Sequence, residues 1–184
     1  MSKIFRFDDV CVNCNMDTVN LMTDYILQNV PNSQVLWGIS PLVHNMSNET
    51  GSKVERVYPK IFNALSDIKV FFKPNIAGVP KLRDDVVTAG HGLIHIDHRL
   101  LTPEQQEMSI LISCSLANAK VFIPPFNKWN VHTELICNEN NIKLIKFENG
   151  WKCMEYNKYD PNHELWYIHS REMSYENFVN WFNI

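Results

Sequence analysis

Residues 3–10 read KIFRFDDV: a short β-favouring run, Lys3 to Phe7, that stops on two adjacent aspartates, Asp8 and Asp9. Asp17 to Asn29 follows, with Val19, Met22, Ile26 and then Val30 at helical spacing, so the chain opens as a strand leading into a helix. The alternation continues. Gln34 to Ile39 (QVLWGI) is a second strand stopped by Ser40-Pro41, and Tyr58 to Leu65 is a helix opened by Pro59. Ile68 to Phe72 (IKVFF) is a third strand, and Asp85 to Ala89 a fourth that runs into a Gly-His loop. Thr102-Pro103-Glu104-Gln105 starts a helix extending to about Asn118, with Thr as cap, Pro at the first helical position and Gln as capping-box partner. Strands at Lys120–Ile123, Ile142–Phe147 and Leu165–Ile168, a helix at His132–Asn140 and an amphipathic helix at Ser174–Phe182 complete the series. Trp151 to Tyr156 is expected as an antiparallel addition. Strands alternating with helices predict the α/β class and a largely parallel sheet. A chain of 184 residues is short for an eight-stranded barrel of ~250, so a trimmed barrel or an open sheet is expected.

Composition narrows the function. At 45% hydrophobic and 11% aromatic the chain can build a substantial core, and its length matches one domain of about 100–200 residues, so residues 1–184 are expected to form a single catalytic domain. The net charge is −3 with no basic stripe, which argues against a nucleic-acid partner. No run approaches the ~18 apolar residues of a membrane span, and MSKIFRFDDV lacks an export signal's apolar region, so a cytoplasmic protein without a membrane partner is expected. The five cysteines show no framework spacing, which suits a reducing compartment.

In βα architectures the site lies where the strands end. Asp8-Asp9 closes the first predicted strand, His91 and His95 follow the fourth, Pro124-Pro125-Phe126-Asn127 closes the fifth, and His169 closes the last. Neighbouring residues on a strand point to opposite sides, so one aspartate can ligate a metal while the other accepts a proton; an isolated Asp-Asp is otherwise common at turns. Two imidazoles at i and i+4 can meet on one helical face and hold one ion. An added carboxylate makes a two-His-one-carboxylate set suited to zinc, cobalt, nickel or iron. His98 lies close by, and Asp97 is placed to orient a ligand imidazole. His169 has the near-neutral pKa of a general acid. Cys11 and Cys14 form one CxxC, incomplete as a zinc site, that lines the first loop. Trp129, Trp151, Trp166, Tyr167 and Trp181 are of types more often core than ligand platform; Trp129, after the Pro-Pro loop, is the exception considered for facing a sugar ring.

Taken in order, these segments resemble the motif set of the polysaccharide deacetylase (NodB-homology) superfamily, closest to its divergent, shorter members. Arg6-Phe7-Asp8-Asp9-Val10 resembles the first motif, TFDDG, and His91 to His95 resembles the HxxxH pair. Phe122 to Asn127 resembles the F-R-P-P-Y-G loop, and Leu165 to His169 the final strand ending in a catalytic histidine. The resemblance spans residues 6 to 170. It implies a distorted (β/α) barrel of about six to seven strands. It implies that Asp9, His91 and His95 hold one divalent ion, zinc first, and that Asp8 is the general base and His169 the acid. Pro125, Phe126, Asn127 and Trp129 would form the substrate-binding segment, with a backbone N–H near Phe126 facing the developing oxyanion. The expected reaction removes acetyl from an N-acetylated sugar. Three departures stand out: Val10 replaces the motif glycine, Ile123 the arginine that orients the base, and Asn127 the loop glycine. Arg6, Arg99 and Arg171 are the candidates for the missing positive charge.

Two other functions stay open on these residues. One is hydrolysis of another carbon–nitrogen or ester bond on the same fold. The other is a catalytically silent glycan-binding or assembly protein that keeps the metal residues. The expected partner is a glycan or other small molecule, and oligomeric state is not legible in the sequence.

Overall fold

The structure is a computed structural model and describes residues 2–10, 14–41, 81–93, 95–169 and 173–183. The expected helix at 58–65, the strand at 68–72, Cys11 and Arg171 lie outside the described residues. The described strands are β1 (Lys3–Val10), β2 (Ser33–Ile39), β3 (Val87–Gly90), β4 (Val121–Phe122), β5 (Lys143–Leu144), β6 (Lys152–Cys153) and β7 (Leu165–His169). Helices are α1 (Met16–Asn29), α2 (Pro103–Leu116), α3 (Val131–Glu139) and α4 (Tyr175–Phe182). The strands form one seven-stranded sheet in the order β5-β4-β3-β2-β1-β7-β6. Every pairing is parallel, and the sheet curls into a half-barrel.

The antiparallel addition expected at Trp151–Tyr156 is corrected: Lys152 pairs with Trp166 and Cys153 with Tyr167 in parallel register. Residues 154–164 carry the chain back along the sheet without a helix, so β6 and β7 end on the same side. Ile142–Phe147 shrinks to a two-residue β5, with Phe147–Asn149 in a 3₁₀ turn.

Alternation along β1 sets the two faces of the sheet. Phe5 and Phe7 point to the helices, where their rings meet Phe182 and Phe178 of α4 at 5.8 and 6.3 Å. Trp37 of β2 lies on the same face, its Nε1 donating to Thr23 of α1 at 3.2 Å. Arg6 and Asp8 take the inner face, and the central position of β1 buries both completely or nearly so, at 0% and 2% exposure. Leu36, Ala89 and Ile123 form a small apolar cluster under them.

Helix ends follow local chemistry. Thr102 and Gln105 close the capping box expected for α2, and Asn130 with Thr133 makes another at α3. Gly90, the last residue of β3, has no room for a side chain, because a Cβ there would lie 2.7 Å from Cys114 Sγ and Ser113 Oγ. This tight approach of β3 to α2 fixes where His91 emerges.

Candidate metal centre and its flanking acid–base pairs

The register of β1 against β2 shifts between Phe7 and Val10, and within that irregularity Asp9 takes φ 61°. Left-handed backbone is uncommon for a non-glycine residue and stores strain, though Asp tolerates it better than most. It turns the Asp9 carboxylate toward the loop after β3. There Asp9 Oδ1 lies 3.4 Å from His91 Nε2 and 3.1 Å from His95 Nε2. Ligands bound at ~2.0–2.2 Å in a tetrahedral set sit roughly 3.3–3.6 Å apart, so these separations fit one shared ion. Asp9 Oδ1 and His91 Nε2 are buried polar atoms without a hydrogen-bond partner, a costly state that an ion would relieve.

His91 Nδ1 faces the carbonyl of Ile123 at 2.9 Å. A carbonyl only accepts, so Nδ1 carries hydrogen and Nε2 is the atom aimed at Asp9. Burial opposes charge on all three groups. For Asp9 it is outweighed by His91, His95 and His169, which hold its carboxyl well below the usual range. For His91, Asp9 and Asp8 outweigh burial and hold the imidazolium above its ordinary value. His95 goes the other way, burial lowering it to about 4.

The histidine pair meets in a loop rather than on the helical face considered from its spacing, with rings 5.1 Å apart. His98 is no ligand. It is fully buried, its Nε2 lies 3.1 Å from Ser109 Oγ, and burial lowers it to about 3. The same Ser109 hydroxyl accepts from Leu93 N at 3.0 Å, which anchors the loop between His91 and His95 to α2.

Asp8 sits beside this triad. Arg6 Nη2 donates to Asp8 Oδ2 and to Asn127 Oδ1, both at 2.7 Å, and its guanidinium lies 4.8 Å from the Trp151 ring and 4.9 Å from that of Tyr167. Of the three arginines considered for a charge beside Asp8, Arg6 is, among the described residues, the one that reaches it. Arg99 is half-exposed and pairs with Asp97. Asp97 is correspondingly committed to Arg99, and the ring of His91 is held by the Ile123 carbonyl instead. Asn127 serves Arg6, and its φ of 56° is one that Asn adopts readily. Phe126, also left-handed at φ 55°, is 57% exposed and packs its ring 4.2 Å from that of His95. Pro125 is buried beneath it, and Trp129 carries the Lys146 ammonium 4.4 Å above its ring.

His169 ends β7, opposite Asp8 in the register with β1. Its partner, Glu155, was not singled out in the sequence. Glu155 Oε1 accepts from the His169 backbone N–H at 2.8 Å, and Oε2 lies 3.3 Å from Nδ1. The bond to Glu155, more than the opposing effect of burial, raises His169 to about 9. Glu155 lies two residues beyond Cys153, the observed parallel partner of Tyr167, a register that no local pattern in the sequence signals. Cys14 donates to the Asp9 carbonyl at 2.9 Å, helping to hold that turn.

No protein-family model matches this sequence, nor does any curated protein sequence. Solved structures share its fold. A family 4 carbohydrate esterase from Streptomyces lividans, in complex with acetate, is 12% identical over 99% of this chain and 88% of its own, with a TM-score of 0.55. The peptidoglycan deacetylase PdaC from Bacillus subtilis is 13% identical over 99% and 82%, at 0.55. A family 4 pseudoenzyme from Bacillus anthracis is 8% identical over 99% of this chain and 59% of its own, also at 0.55. The fold is that of the NodB-type distorted barrel.

Proposed function

We propose that this chain is a divergent deacetylase of the family 4 carbohydrate esterase type, removing acetyl from an N-acetylated sugar. One observation carries the reading: Asp9, His91 and His95 converge on a common point, flanked by an Arg6-held aspartate and a Glu155-held histidine. The fold and the neighbours' activities support it.

A divalent ion held by the triad would supply Lewis acidity to a carbonyl oxygen and to water. The remaining work belongs to the chain. Asp8 accepts a proton from the attacking water through Oδ1, the oxygen that Arg6 leaves unpartnered. Arg6 fixes the carboxylate's orientation from beneath. His169, held as an imidazolium by Glu155, donates a proton to the departing nitrogen. The exposed ring of Phe126 beside His95 offers an apolar surface for the acetyl methyl or the sugar face.

The test is metal analysis joined to turnover on acetylated chito-oligosaccharides. The parent holds zinc in the triad and releases acetate; Asp9→Ala loses the triad's ion and the turnover. Asp8→Asn and His169→Ala keep the ion in the triad and lose turnover. Hydrolysis by Asp8→Asn at the parent's rate would rule out Asp8 as the base. Metal binding without hydrolysis of any acetylated sugar would favour the silent binding protein.

A further inference from the structure

Among the described residues a second group of ligand atoms gathers at the ends of β6 and β7: Cys153 Sγ, a Glu155 carboxylate oxygen and a His169 ring nitrogen, all within 4.8 Å of one another. Parallel pairing builds it. Cys153 stands beside Tyr167, and each chain then advances two residues, to Glu155 and to His169. We propose that Cys153, Glu155 and His169 form a second, inhibitory site for a thiophilic divalent ion of the zinc type.

The donor set combines a thiol, an imidazole and a carboxylate, the three ligand types that zinc takes together in tetrahedral sites. The atoms are already in contact: Cys153 Sγ touches Glu155 Oε2, and His169 Nδ1 lies 3.3 Å from the same oxygen. Cys153 and Glu155 are largely buried, and His169 keeps 30% of its side chain exposed, so an ion can reach the cluster and a fourth position stays open to water. The other described cysteines have different surroundings: Cys14 and Cys114 donate to backbone carbonyls, and Cys137 points from α3 into the apolar core.

Binding balances by release of two protons, one from the Cys153 thiol and one from the His169 imidazolium, leaving thiolate and neutral imidazole as ligands. The inhibitory consequence rests on the function proposed above. With Nδ1 given to the ion, His169 cannot become imidazolium, and donating its last ring proton would leave an imidazolate. The leaving nitrogen then lacks its proton source.

Titration with zinc, and separately with cobalt, tests this on the full chain. The parent binds two equivalents, and the second slows turnover. Cys153→Ser, which keeps a donor to Glu155, binds one equivalent and loses the inhibition by excess zinc. Asp9→Ala, lacking the first site, still shows the sulfur-to-cobalt charge-transfer band, and the doubly substituted chain shows none. Absence of that band in both the parent and Asp9→Ala overturns the site, as does an undiminished second equivalent in Cys153→Ser. A parent that shows the band yet hydrolyses no acetylated sugar keeps the site and counts against the deacetylase reading alone.

Discussion

At the residue scale, Arg6 decides most. A guanidinium with 0% exposure is tolerable only because Asp8, Asn127 and two aromatic faces surround it, and one of those partners is the proposed base. Removing one member of a buried pair leaves the other charge without compensation. Arg6→Met is therefore expected to lower stability by ~3–5 kcal/mol in urea unfolding and to abolish turnover, while the triad still binds zinc. Adding Asp8→Asn to Arg6→Met should restore part of that stability; a double variant no more stable than the single one would place the cost elsewhere. His169 gives a second test, in metal-free protein with chelator present. Its folded value of about 9 lies above the ordinary ~6.5, so its stabilisation is fully present below about 6.5 and is lost as pH rises through about 9. The imidazole resonances should titrate near that upper value in the parent and fall toward the ordinary one in Glu155→Gln. An unmoved midpoint would show that Glu155 does not hold the proton there.

At the element scale, the junction of β3 with α2 carries the ligand loop. A methyl group on Gly90 would lie 2.7 Å from two side-chain atoms and 2.9 Å from the backbone N of Cys114, so strand or helix has to move. Gly90→Ala is expected to cost ~1–3 kcal/mol and to weaken zinc binding as well, because His91 is the next residue. Thr102→Ala removes the cap at the other end of the same connection and should cost ~1 kcal/mol with zinc affinity unchanged. Paired calorimetric titrations of the two variants separate loop positioning from simple loss of stability. The 3₁₀ turn at Pro125–Asn127 is the other functional element. Its two consecutive left-handed residues present the Phe126 ring to His95 and the Asn127 amide to Arg6, so one short loop touches both the proposed triad and the holder of the proposed base.

At the scale of the whole molecule, the site gathers the ends of β1, β3, β4 and β7, so an ion there ties distant segments together. Anything that binds only the folded state stabilises it by mass action, about 2.7 kcal/mol at a free concentration 100 times the dissociation constant. Zinc should raise the melting temperature of the parent, chelator should reverse the rise, and Asp9→Ala should show no rise from the triad. Four cross-sheet segments explain why so little sequence identity, 8–13% to the neighbours described, is compatible with one fold. Strand order and the closeness of the strand ends constrain only a few positions.

The sequence alone determined the alternation of strands and helices, because apolar periodicity and capping residues are local properties. It also determined that Asp8, Asp9, His91 and His169 fall at or next to strand ends, with His95 in the loop beyond, since a strand's end is marked by its own neighbours. Tertiary structure decided which of these side chains meet and which partner each keeps. Arg6 over Arg99, Glu155 beside His169, the Ile123 carbonyl on His91 and the parallel sense of β6 all depend on strands far apart in sequence lying 4.7–4.9 Å apart in one sheet. No local pattern encodes that register. It follows from burying both faces of β1 at the centre of the sheet, which sets Arg6 and Asp8 on the inner side and Phe5 and Phe7 on the other.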